Sequence, residues 1–109
     1  MTSYIFIESR DPFESNDAPF IVETAVALHQ RGHLVTVFLI QNGTLAARRT
    51  AQGSHLPRLL AAGVNLLADD FSLRERGIAA TELTAGIRPA SIETLAAMLA
   101  RPDTKALWH

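Results

Sequence analysis

Residues 34–40 read LVTVFLI, a run with no charge and one polar side chain. An amphipathic helix, or a strand with one wet face, would interrupt such a run with polar residues. A β-branched, continuously apolar stretch instead predicts a strand buried on both faces, inside a parallel sheet covered by helices. The sequence before it agrees. Ile21, Val22, Ala25, Val26 and Leu28 repeat at helical spacing. Pro19 suits the first turn of that helix, and Asp17 is a reasonable cap or at least a favourable charge there. Gly32 ends it, with Arg31 placed against the negative pole. Residues 4–8 (YIFIE) predict an earlier strand, separated from the helix by the loop chemistry of residues 9–16 (SRDPFESN).

The same alternation continues downstream. Asn42-Gly43 turns the chain, and residues 44–49 are helix formers, so a strand-to-helix turn is expected rather than a hairpin. Leu56, Leu59 and Leu60 mark a helix closed by Gly63, and residues 65–68 a third short strand. Residues 72–76 predict a helical turn ended by Gly77, and residues 78–88 a weak strand near Leu83. Ile92, Leu95, Ala96 and Leu99 form the apolar face of a last helix, with Ser91 at its start and Pro102 after its end. Residues 105–108 predict a final strand. The expected fold is a single three-layer α/β domain over residues 1–109, with a central, mostly parallel sheet of about five strands flanked by helices. Leu45, Phe71, Leu73, Leu107 and Trp108 fall near expected loops or ends, which suits either a subunit interface or a filled core.

Composition narrows the function. At 109 residues the chain makes one domain, and 48% hydrophobic with 19% charged is ordinary globular usage. The formal charge of −1 argues against a nucleic-acid binder. No apolar run approaches a membrane span, and no secretory signal opens the chain, so a cytoplasmic setting is expected. There is no Cys, which excludes disulfides, thiolate zinc sites, a Cys nucleophile and a persulfide carried on the chain itself. The six glycines are isolated, so neither the dinucleotide nor the nucleoside-triphosphate cradle is encoded. His29 and His33 have ligand spacing, but Gly32 ends the helix between them, so no metal site is expected and no cofactor is implied.

Three loops follow the first three expected strands, on the side where open α/β sheets bind ligands. They carry Ser9 and Arg10, then Asn42, then Asp69 and Asp70. Adjacent carboxylates at a strand end diverge, so Asp69 and Asp70 are not expected to share a proton; one suits the cap of the next helix. Residues 24–68 hold four arginines and no acid. Of these, Arg49 beside Arg48 suits either an anionic ligand or a solvated helix face.

Residues 25–48 (AVALHQRGHLVTVFLIQNGTLAAR) and residues 72–78 (SLRERGI) resemble the DsrE/DsrF-like family, which includes the TusB, TusC and TusD sulfur-relay proteins. The shared features are a helix ending in Gly-His, an apolar strand, an Asn-Gly turn into a helix, and a later Arg-Gly-Ile. The resemblance implies a five-stranded parallel sheet, trimers or hexamers, or mixed rings with sister subunits. In active members it also implies a sulfur-accepting Cys at the end of the third strand, eight residues before the Gly of the Arg-Gly pair. Counting back from Gly77 reaches Asp69. A carboxylate forms no stable S–S bond, so the sulfur-carrier activity does not transfer. The expectation is a non-catalytic DsrE-like oligomeric protein, an assembly subunit or a binder of a small ligand or partner. The alternative is an enzyme acting on a small anionic substrate, with Asp69 or Asp70 assisted by Arg49 or Ser9.

Overall fold

The computed structural model describes residues 2–11, 18–51 and 54–109. The strands are β1 (Ser3–Glu8), β2 (Leu34–Leu39), β3 (Asn65–Asp69), β4 (Ile87–Ala90) and β5 (Thr104–Trp108). The helices are α1 (Ala18–Gln30), α2 (Leu56–Ala62), α3 (Asp70–Glu75) and α4 (Ile92–Leu99), with 3-10 segments at Gln41–Ala47 and Ala80–Glu82. Every strand pairing is parallel, in the order β4-β3-β2-β1-β5. Asp17, expected as a cap of the first helix, lies outside the described residues.

The run at 34–40 behaves as its composition requires. From Val35 to Ile40 every residue is buried, because β2 is flanked by β1 and β3 and covered on both faces. On one face Phe6, Val35, Val37, Leu39 and Leu66 pack against Ile21, Val22, Ala25 and Val26 of α1 and Leu56 and Leu59 of α2. On the other face Ile5, Ile7, Phe38, Ile40 and Leu67 meet Leu95 of α4. Alternation of side chains along each strand divides the two sets.

Gly43 is fixed by close approach. A Cβ there would stand 2.2 Å from the Glu8 carbonyl oxygen, an acceptor that binds the Ile40 N–H at 3.0 Å. The strand-to-helix turn at Asn42-Gly43 is thus itself the first turn of a 3-10 helix packed against the end of β1. At the helix ends, Gly63 takes φ 92° and Gly77 φ 66°, the left-handed stops expected of them.

One expectation needs correction. The strand expected near Leu83 is a single antiparallel bridge from Leu83 to Arg48, and the fourth strand is Ile87–Ala90 instead. Four residues containing Arg88 and Pro89 carry little strand signal, yet an edge position tolerates them. The apolar stripe of α4 is mostly not buried: Leu95 is 4% exposed, whereas Ile92 is 53% and Leu99 41%.

A cleft at the carboxyl ends of the strands as the candidate functional site

An open cleft of about 730 Å³ lies beyond the carboxyl ends of the strands. Four strand ends contribute to it. Ile40, Gln41 and Asn42 follow β2; Asp69 closes β3, with Phe71, Ser72, Glu75 and Arg76 after it; Ile92 follows β4; Trp108 comes from β5. Trp108 reaches this wall through topology, because β5 pairs with β1 and brings Trp108 beside Ile7.

Asp69 is the polar centre. It is 6% exposed and caps α3. Its Oδ2 accepts the Ser72 backbone N–H at 3.0 Å and the Ser72 hydroxyl at 2.6 Å. Its Oδ1 is enclosed and has no hydrogen-bond partner among the described residues. Ser72 Oγ in turn accepts the Gln41 N–H at 2.8 Å, so one hydroxyl joins the tip of β3 to the loop leaving β2. Gln41 holds the left-handed conformation, φ 50°, that this turn demands. Beside it, Arg76 donates to Asn42 Oδ1 from Nε at 3.2 Å and Nη2 at 3.1 Å, and to the Ser72 carbonyl from Nη1 at 3.3 Å. The rim is apolar and exposed: Phe71 58%, Ile92 53%, Trp108 64%.

Of the candidate residues, Asn42 and Asp69 come together in this cleft. Asp70 does not line it; its carboxylate lies 3.9 Å from Arg74 on the surface of α3, the divergence expected of neighbouring side chains. Ser9 is held elsewhere, its hydroxyl donating to the His109 carbonyl at 3.0 Å. Beside it, His109 Nδ1 sits 2.8 Å from Glu8 Oε2, securing the end of β5 against β1. Arg10 lines a separate cavity of about 30 Å³ on the α1 and α2 side, walled by Ile21, Val22, Leu56 and Leu59. Arg49 is exposed, and its backbone N–H donates to the Glu82 carbonyl at 2.7 Å. The grouping of Asp69 with Arg49 or Ser9 is therefore not assembled.

His29 and His33 also stay apart from any site. His33 stands edge-on to Tyr4 with ring centroids 5.2 Å apart, and His29 lies against Gly63. Among the described residues no group of three or more His, Asp or Glu side chains is placed to hold a metal ion. No helix of the described residues is long and apolar enough to cross a membrane.

Sequence reasoning missed Ser72, Glu75 and Arg76 as cleft residues. The signal for Ser72 was present, since Asp followed three positions later by Ser is cap spacing. The Arg76 contact to Asn42 spans 34 positions, and no local pattern encodes it.

The family model for the DsrE/DsrF-like family matches residues 2–105. No curated protein matches the chain by sequence. Among solved structures, YchN from E. coli superposes with a TM-score of 0.87 at 19% identity, covering 100% of both chains. MTH1491 from Methanobacterium thermoautotrophicum does so with a TM-score of 0.82 at 16% identity, again covering 100% of both. These identities speak to the fold; the match over 2–105 speaks to descent, and by it the chain belongs to the DsrE/DsrF-like family.

Proposed function

We propose that the chain is a non-catalytic DsrE-like subunit. In this reading it assembles into a homotrimer or homohexamer, or joins a mixed ring with DsrE-like sister subunits, and works in the cytoplasm. It offers the Asp69 cleft to a small ligand or partner instead of carrying sulfur. The observation that carries the reading is the state of Asp69. At the strand tip where the family resemblance calls for a thiol, a buried carboxylate ties the cap of α3 and the β2 loop together through Ser72. A carboxylate so placed holds a cleft in shape, and with no Cys the chain has no atom on which to build a persulfide. The exposed Phe20, Leu34, Leu99 and Leu107, none of which lines the cleft, support assembly, since a small monomer rarely leaves so many large apolar groups in water.

Size-exclusion chromatography with light scattering tests the assembly. A trimer, a hexamer or co-elution with a DsrE-like sister subunit is expected; a monomer at every concentration, alone and mixed, overturns it. Incubation with polysulfide followed by cyanolysis tests the chemistry. The natural chain is expected to hold no protein-bound sulfane sulfur, and the Asp69→Cys variant to acquire it. Bound sulfane sulfur on the natural chain contradicts the non-carrier reading.

A further inference from the structure

Resting on the reading of the Asp69 cleft as a binding site, we propose that the cleft takes a guanidinium group, borne by a small molecule or by an arginine of a partner protein. The first ground is an unmet acceptor. Asp69 lines the cleft, is 6% exposed, and leaves Oδ1 enclosed without a donor among the described residues. A buried carboxylate oxygen in that state calls for an N–H or O–H.

The second ground is charge. The lining carries Asp69 and Glu75 against Arg76. Arg76 is held against Asn42 and the Ser72 carbonyl at the β2 side, and the two carboxylates outnumber it, so the lining as a whole favours a cation.

The third ground is the wall. Phe71 and Trp108 stand exposed at the mouth with Ile92 beside them. A planar, weakly hydrated guanidinium stacks on aromatic faces and presents several N–H groups in one plane; a compact, strongly hydrated ammonium is less suited to both. Oδ1 is enclosed in this structure, so the group reaches it only once the side chains that cover it move.

Trp108 is the only tryptophan of the chain, so its fluorescence reports on the mouth, with calorimetry as a second readout. The full chain is titrated with ethylguanidinium, with neutral propylurea, and with N-acetyl-Gly-Arg-Gly amide. Saturable binding of the arginine peptide is expected, with propylurea at least about tenfold weaker than the best guanidinium probe. Binding of ethylguanidinium as well means that a free small molecule suffices; binding of the peptide alone assigns the group to a partner protein. Asp69→Asn keeps a competent cap while removing the charge and placing an NH₂ at the acceptor, and is expected to weaken binding at least about tenfold. Glu75→Gln, at an exposed position where folding is not at risk, is expected to weaken it on the order of threefold. No binding by either guanidinium probe, propylurea binding as tightly, or unchanged binding by both variants overturns the proposal. Light scattering on the same samples separates the two readings. An intact oligomer that ignores guanidinium sinks only this inference, and a monomer that binds it sinks only the assembly.

Discussion

The two faces of the sheet are built to different depths. Under α1 and α2, strand residues such as Val35, Val37, Leu39 and Leu66 meet a layer of buried helix residues, with Ala46, Leu73, Ile78 and Leu83 closing its margins. On the α4 face, Ile5, Ile7, Phe38, Ile40 and Leu67 are covered chiefly by Leu95, with Met98 and Ala90 partly buried beside them. The α4 face also carries Thr36 and Asn65, hydrogen-bonded to each other, and Asp69; the larger difference is the cover. The first face is finished within one chain. The second leaves the apolar stripe of α4 open to water and holds the candidate cleft at its end, so the difference marks where a fold stops serving stability and starts serving contact with something else.

Truncations on the two faces test that contrast most strongly. Leu59→Ala, at a position 1% exposed on the buried side of α2, is expected to cost about 3–4 kcal/mol of unfolding free energy. Leu95→Ala on the thin face is expected to cost about 2 kcal/mol, because a half-covered helix settles more easily into the space left. Urea titration monitored by circular dichroism gives both values. Equal losses would mean that α4 is held as firmly as α2, and the contrast would fail.

A smaller effect is expected at the cleft. Ser72→Ala removes the 2.6 Å hydroxyl contact to Asp69 and the acceptor for the Gln41 N–H. A loss of about 1 kcal/mol is expected in the same titration, since the Gln41 N–H loses its acceptor and Asp69 Oδ2 keeps only the Ser72 backbone N–H. The smallest effect on the folded chain is expected from Leu99→Ser with Leu107→Ser. Leu99 is 41% exposed and Leu107 45%, so the subunit itself should change by no more than about 0.5 kcal/mol. The same pair of changes is expected to shift the assembly toward monomer in light scattering. A large loss of subunit stability without a change in mass would show those side chains belong to the core after all.

The legible parts of the molecule were those decided by local pattern. β2 was plain because burial on both faces leaves no room for polar residues, and the stops at Gly32, Gly63 and Gly77 follow from a backbone conformation that glycine alone adopts freely. A cap on the helix after β3 was readable as one of Asp69 and Asp70; the structure makes it Asp69. What local pattern does not encode was missed. β4 is a strand because β3 offers it a partner, not because Ile-Arg-Pro-Ala favours extension. The cleft depends on strand order, which carries Trp108 across to the neighbourhood of Asp69, and on Arg76 finding Asn42. The exposure of Ile92 and Leu99 was hidden for a related reason: periodicity reports that a helix has an apolar side, not whether its own chain supplies the cover.

The place of β1 between β2 and β5 has a consequence for how the chain comes together. The Ser9 hydroxyl meets the carbonyl of His109 across 100 positions of sequence, so β5 docks on β1 only after the residues between them have been synthesised. Pairing over such a span is slow, because chain entropy must be given up before the contact returns anything. During that interval the outer edge of β1 stands bare beside Ile5 and Ile7, a template for any extended segment that reaches it first. The nascent chain is thus most vulnerable to mispairing along β1.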